Sequence, residues 1–191
     1  SFYDLSGNGN TFSITGATYN SSGYFSFSGT SQYMSCASPS FSLTNKATVS
    51  VWLKPSSGQN DGTYNGLFSY GPRTCAGTTL LMSMNNSYGP TMAKWCDDFT
   101  SPTTNMNTTS WWNYTLVLNG ASVAFYLNGS GAGSGTVGSN NIGSGTAAIG
   151  ATDLYGRLYK GDIAAVSLYN DALSTTQITQ NFNALRERFG I

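Results

Sequence analysis

Histidine is absent from this 191-residue chain, and glutamate occurs once, at Glu187. Without histidine there is no Ser-His-Asp or Cys-His nucleophile pair, and most zinc and copper ligand sets are lost. Charge is scarce as well. Charged residues make up 8% of the chain, against about 25% in ordinary globular proteins, so Ser, Thr, Asn and Gly must build the surface. Eight basic and eight acidic residues cancel, and the basic excess that nucleic acid demands is missing. No apolar run approaches the roughly 20 residues that span a membrane, so no membrane insertion is expected. No leader peptide is visible and the chain opens on Ser1. It is therefore expected to be a processed product or a piece of something longer.

Cysteine is sparse. Three cysteines leave at least one unpaired. Cys36 sits in "QYMSCAS", which alternates like a strand, and is expected to be a buried free thiol. The chain between Cys75 and Cys96 can form a strand at "TTLLMSMN", a turn at "NSYGP" and a return strand. That path brings its ends together and predicts a Cys75–Cys96 disulfide, hence an oxidising environment. Five N-x-S/T sequons, at Asn20, Asn85, Asn107, Asn113 and Asn128, mark surface positions only if the host glycosylates.

What the chain does have is aromatic residues, at 14%, arranged in short alternating runs. "ATVSVWLKP" sends Val49, Val51 and Leu53 one way and Thr48, Ser50, Trp52 and Lys54 the other. "GYFSFSG", "NGLFSYG", "TMAKWCDD", "WWNYTLVLNG", "SVAFYLNG" and "GDIAAVSLYN" are bounded by Gly, Asn, Ser or Pro. "LNGASV" and "YLNGSG" contain Asn-Gly, a hairpin signal. Strands at this spacing, without helices between them, predict an all-β fold: a two-sheet antiparallel sandwich or a barrel. The glycine-rich run 129–146 is expected to be a hairpin or weak strand and not a linker, because strand-like sequence resumes after it. One helix is expected over about 174–189. Ser174 and Gln177 make an S-x-x-Q capping box, and Ile178, Phe182 and Leu185 follow at helical spacing.

"YDLSGNGN" places Asp4, Ser6 and Asn8 at alternate positions before Gly9, like the first half of a calcium loop. The twelfth position, where such a loop needs a bidentate Glu, is Thr15. A turn is expected instead, and calcium, if bound, is not expected to be needed for folding. No cofactor is expected.

The motif order resembles that of laminin-G-like domains of the concanavalin A-like jelly-roll superfamily. The matching pieces are "DLSGNGN", "YFSFSGTSQYMSC", "FSLTNKATVSVWLKP", the central "WWNYTLVLNGASVAFYLNG" and the closing "YKGDIAAVSLYNDALSTTQITQNF". The closing "NFNALRERFGI" and "ATDLYGR" look most like copies in structural proteins of large DNA viruses and phages. The resemblance implies one domain over 1–191, a sandwich of two antiparallel sheets with one C-terminal helix, on a virion or extracellular surface. Relatives hold calcium with an acid in a last-strand pattern Gly-x-Ile-Asp. Here that run is Gly161-Asp162-Ile163-Ala164, without the acid in place.

Hydrolases of that superfamily use an E-x-D-x-x-E strand, which this chain lacks. Retaining glycoside hydrolysis needs two carboxyls about 5.5 Å apart, and Asp97 and Asp98, adjacent on a strand, face opposite ways. No catalytic residues are therefore assigned and a non-enzymatic protein is expected. Two classes remain. One is an adhesion module for a glycan or host-surface receptor, using aromatic platforms with Asp, Asn and Arg on the hydroxyls. Its candidate ligand-binding residues are Asp61, Tyr64, Tyr70, Arg73, Trp95, Asp97 and Asp98, with a second group at Asp153, Tyr155 and Arg157. The other is a structural decoration or spacer that packs against neighbouring subunits.

Overall fold

The computed structural model describes residues 2–59, 64–72, 74, 78–93, 98–100, 105–138, 140–153 and 156–191. Within them the chain forms two antiparallel sheets and a C-terminal helix, the expected sandwich. The ten-stranded sheet runs β1 (Phe2–Tyr3), β2 (Thr11–Thr15), β5 (Tyr33–Cys36), β14 (Ala147–Ile149), β7 (Asn65–Tyr70), β8 (Leu80–Met84), β9 (Pro90–Ala93), β10 (Phe99–Thr100). A hairpin of β15 (Ala151–Asp153) and β16 (Gly156–Leu158) joins it beside β7. The seven-stranded sheet runs β13 (Ser130–Thr136), β12 (Ser122–Leu127), β11 (Trp112–Asn119), β6 (Lys46–Pro55), β17 (Lys160–Tyr169), β4 (Tyr24–Ser28), β3 (Thr18–Asn20).

Period-two patterning puts the core between the sheets. Val49, Val51 and Leu53 of β6 are fully buried and meet Met82, Met84 and Met92 in one apolar cluster. Burying each such side chain contributes about 1.5–3 kcal/mol. Cys36 is buried with a free thiol, as expected. The glycine-rich run supplies β13, paired along β12. Their turn is Asn128-Gly129, both at positive φ, the backbone that two-residue hairpins favour.

The helix spans Thr175–Leu185 and continues as a 3-10 turn over Arg186–Phe189. Ser174 caps it through the expected box with Gln177. It covers the outer face of the seven-stranded sheet. The Trp52 ring stacks between Phe182, at 5.7 Å, and Phe189, at 4.1 Å. Leu185, expected on the docking face, is 39% exposed. The 3-10 turn begins only after Leu185, and the next ring set against Trp52 is Phe189. The approach to the helix is held by buried Thr48, whose hydroxyl donates to the Asp171 carbonyl and accepts from Leu173 N–H.

Residues 4–10 form a turn closed on itself. Asp4 accepts from Ser6 N–H at 2.8 Å, Ser6 hydroxyl at 2.7 Å and the Asn10 amide at 2.7 Å. Slight burial pushes the Asp4 carboxyl up, but the hydrogen bonds from Ser6 and Asn10 outweigh it and hold the group below its usual range. Asp162 accepts from Ser26 hydroxyl at 2.6 Å.

Candidate functional site

Three of the sequence-predicted residues meet at one place on the ten-stranded sheet. Tyr64 directly precedes β7, Asp98 directly precedes β10, and Arg157 is the middle residue of β16. Gly66 explains how the β15–β16 hairpin reaches β7. A Cβ at that position would overlap the Ala151 and Thr152 backbone, so only glycine admits so close an approach. Leu158 then pairs with Gly66 in parallel, the exception to the antiparallel pattern.

This pairing sets Arg157 beside Tyr64. The guanidinium carbon lies 4.7 Å from the Tyr64 ring centroid, a cation–π geometry. The Tyr64 hydroxyl donates to Asp98 Oδ2. Arg157 holds φ at +52°, a left-handed conformation that costs a non-glycine residue free energy. Asp98 is exposed, and Tyr64 and Arg157 are partly so. A cation over the ring face and an anion at the ring hydroxyl are thus grouped around Tyr64. The cluster brings together a guanidinium, an aromatic ring and a carboxylate, the group types that polar ligands meet on proteins.

The remaining candidates are placed differently. Tyr70 is 1% exposed inside the sandwich, and its hydroxyl donates to the Phe41 carbonyl at 3.1 Å. The backbone of Asp153 pairs with Gly156 across the hairpin. Asp61, Arg73, Trp95, Asp97, Tyr155 and both Cys75 and Cys96 lie outside the described residues. Among the described residues no group of three His, Cys, Asp or Glu stands ready to hold a metal ion. No helix among them is long and apolar enough to cross a membrane.

Sequence patterning did not single out a second feature, a cleft of about 450 Å³ where β11 begins and the helix ends. The "WW" at 111–112 was the available signal: adjacent aromatics flanking a strand face opposite ways, so one must leave the core. Trp112 packs against the core, while Trp111 stands 5.1 Å from Phe189 and 5.5 Å from Tyr24, centroid to centroid.

A family model described as "Concanavalin A-like lectin/glucanases superfamily", of the laminin-G kind, matches residues 28–179. No curated protein sequence matches the chain. Among solved structures, domain 4 of AbnA, a GH43 extracellular arabinanase from Geobacillus stearothermophilus in complex with arabinotriose, is similar at 18% identity and TM-score 0.63. The match covers 88% of this chain and 80% of that one. A heptameric SAP-like pentraxin from Limulus polyphemus matches at 18% identity and TM-score 0.59, over 88% and 79%. The receptor binding domain of botulinum neurotoxin D matches at 13% identity and TM-score 0.73, over 96% of this chain and 50% of that one. This chain thus spans about half of the toxin domain's length. At such identities the shared property is the fold.

Proposed function

The chain belongs to the laminin-G-like family of the concanavalin A-like lectin/glucanase superfamily, and from that premise we propose that it is a non-enzymatic adhesion module. It binds a glycan or a receptor at a virion or other extracellular surface. The absence of histidine and of the E-x-D-x-x-E strand from the whole sequence supports a binding role over catalysis. The binding surface is assembled from the segments 61–73, 95–98 and 153–157, less the buried strand Asn65–Tyr70. The observation that carries this reading is the convergence of Arg157, Tyr64 and Asp98, from three separate segments, into one partly exposed cluster. A core does not require that combination, because arginine and aspartate are ordinarily left at the surface. The solved structures of similar fold named above include a domain in complex with arabinotriose and a receptor binding domain, which fits the same role.

The test is a glycan-array and cell-attachment screen of the parent, Arg157→Ala, Arg73→Ala and Trp95→Ala, each checked for folding by thermal melt. Arg157→Ala is expected to weaken attachment by about 30-fold, the loss typical of a central desolvated contact at about 2 kcal/mol. Full attachment by all three folded variants places the site elsewhere. No attachment by the parent to any glycan or cell favours a structural spacer packed against neighbouring subunits.

A further inference from the structure

The glycine-rich strand β13 reaches the Arg157 cluster from the other sheet. Gly135 lies on the core side of β13, opposite buried Val123. A Cβ at Gly135 would overlap the ring of Phe99. That ring belongs to β10, at the end of the ten-stranded sheet. It passes over Gly135 and stacks on Phe125 of β12, with centroids 5.6 Å apart and planes inclined by 21°. Phe125 is fully buried and makes a T-shaped contact with Tyr114 at 6.0 Å. The Tyr114 hydroxyl returns to the ten-stranded sheet, where it donates to the Thr91 carbonyl at 3.1 Å. Thr91 pairs with Thr100 of β10, so the circuit between the sheets closes on the strand that carries Phe99. Asp98 directly precedes that ring. Phe99 packs against the core and Asp98 is exposed, the alternation expected along a strand. The outward Asp98 carboxylate is the one that accepts from the Tyr64 hydroxyl. β10 itself has two residues, paired with Met92 and Thr91. So short a ladder holds little by itself, and the ring set between the sheets supplies the hold.

We propose that Gly135 and Phe99 are positioning residues for the Arg157–Tyr64–Asp98 surface. The missing side chain at 135 seats the Phe99 ring, and the seated ring fixes Asp98 at the Tyr64 hydroxyl. This rests on the reading of that surface as the binding surface. It gives one glycine of the glycine-rich run a task beyond pairing with β12. A side chain added at 135, on the seven-stranded sheet, acts on a carboxylate carried by the ten-stranded one. The displaced ring has no easy retreat, because Phe125 stacks on it and is itself fully buried.

The test reads the Asp98 carboxyl carbon by NMR in the ¹³C-labelled full chain, with the signal assigned through Asp98→Asn. In the parent, Tyr64→Phe is expected to shift that signal, because the donating hydroxyl is lost. Gly135→Ala is expected to shift it the same way, and Tyr64→Phe added to Gly135→Ala is expected to shift it no further. Phe99→Leu removes the ring and adds no bulk at 135. It is expected to act on the signal as Gly135→Ala does, and it keeps the test decisive where the added methyl group prevents folding. The Asp162 carboxyl accepts from the Ser26 hydroxyl far from these changes, and its unshifted signal reports an intact sandwich. In the glycan-array and cell-attachment screen, folded Gly135→Ala is expected to lose attachment by the same factor as Asp98→Asn. The proposal is overturned if Tyr64→Phe leaves the Asp98 signal unmoved in the parent, or if folded Gly135→Ala and Phe99→Leu keep that signal at its parental position. A lowered melting temperature with no change at Asp98 is the signature of packing alone and overturns it too. So does parental attachment by Gly135→Ala where Asp98→Asn has lost it. The carboxyl signals need no ligand, so a parent that attaches to nothing overturns the adhesion reading and leaves the positioning result to stand or fall on the NMR shifts.

Discussion

Adding one methyl group at position 66 drives a Cβ into the Ala151 and Thr152 backbone, and the hairpin that carries Arg157 has to move away from β7. Gly66→Ala is expected to lower stability by about 3 kcal/mol through overpacking, read by thermal or urea melt. Attachment that depends on Arg157 should fall with it. Arg157→Gly separates the two effects. It removes the cation from Tyr64 and relieves the left-handed strain of roughly 1–2 kcal/mol. Its melting temperature should stay near the parent's or rise while attachment is lost. A purely structural role for Arg157 would instead lower the melting temperature. The residue types at this cluster were legible in the sequence, because Arg, Tyr and Asp in loop-like segments are poor core material. Their meeting was not, since the contact depends on the absent side chain of Gly66, which no pattern of polar and apolar residues reports.

The helix shows the same division at the level of elements. Its start was legible down to the cap, because Ser174 and Gln177 act through local hydrogen bonds. Its far end was not. Leu185 holds the next helical position yet is left exposed, and the ring that meets Trp52 beyond Phe182 is Phe189, in the 3-10 turn that follows. Strands read well for a related reason: alternation records burial directly, and β6 follows it residue by residue. Truncating Phe182→Ala should cost about 3–5 kcal/mol, since it opens a void beside a buried ring. Removal of the cap in Ser174→Ala should cost about 1 kcal/mol. Denaturant melts followed by near-ultraviolet dichroism will distinguish the two, because only the first disturbs the Trp52 environment.

Across the whole molecule, stability should depend on alkaline pH and not on calcium. Burial pushes the Tyr114 and Tyr159 hydroxyls well above the ordinary value of 10.0, with Asp162 adding to the rise at Tyr159. These groups stay protonated when folded and ionise when unfolded. The unfolded chain therefore binds fewer protons above that value, and stability falls as pH rises, by about 1.4 kcal/mol per pH unit for each tyrosine. Tyrosinate absorbance should appear together with unfolding and not before it. Chelator should leave the melting temperature unchanged, because Asp4 spends its oxygens on Ser6 and Asn10. A fall of several degrees would show a metal in the native state. The placement of β17 reaches further. It lies between β6 and β4 and pairs Lys160 with Ser28 and Tyr169 with Thr48, so a place inside the seven-stranded sheet is filled by the strand that comes last in chain order among the described residues. During translation β6 waits with one flank open and Trp52 uncovered, and no stable half-sandwich is available to shelter it. The sheet can close only after β17 has been made, at the slow rates of long-range β pairing. The emerging chain, with that edge bare, is the species most in need of chaperones and the one most prone to clump at high expression.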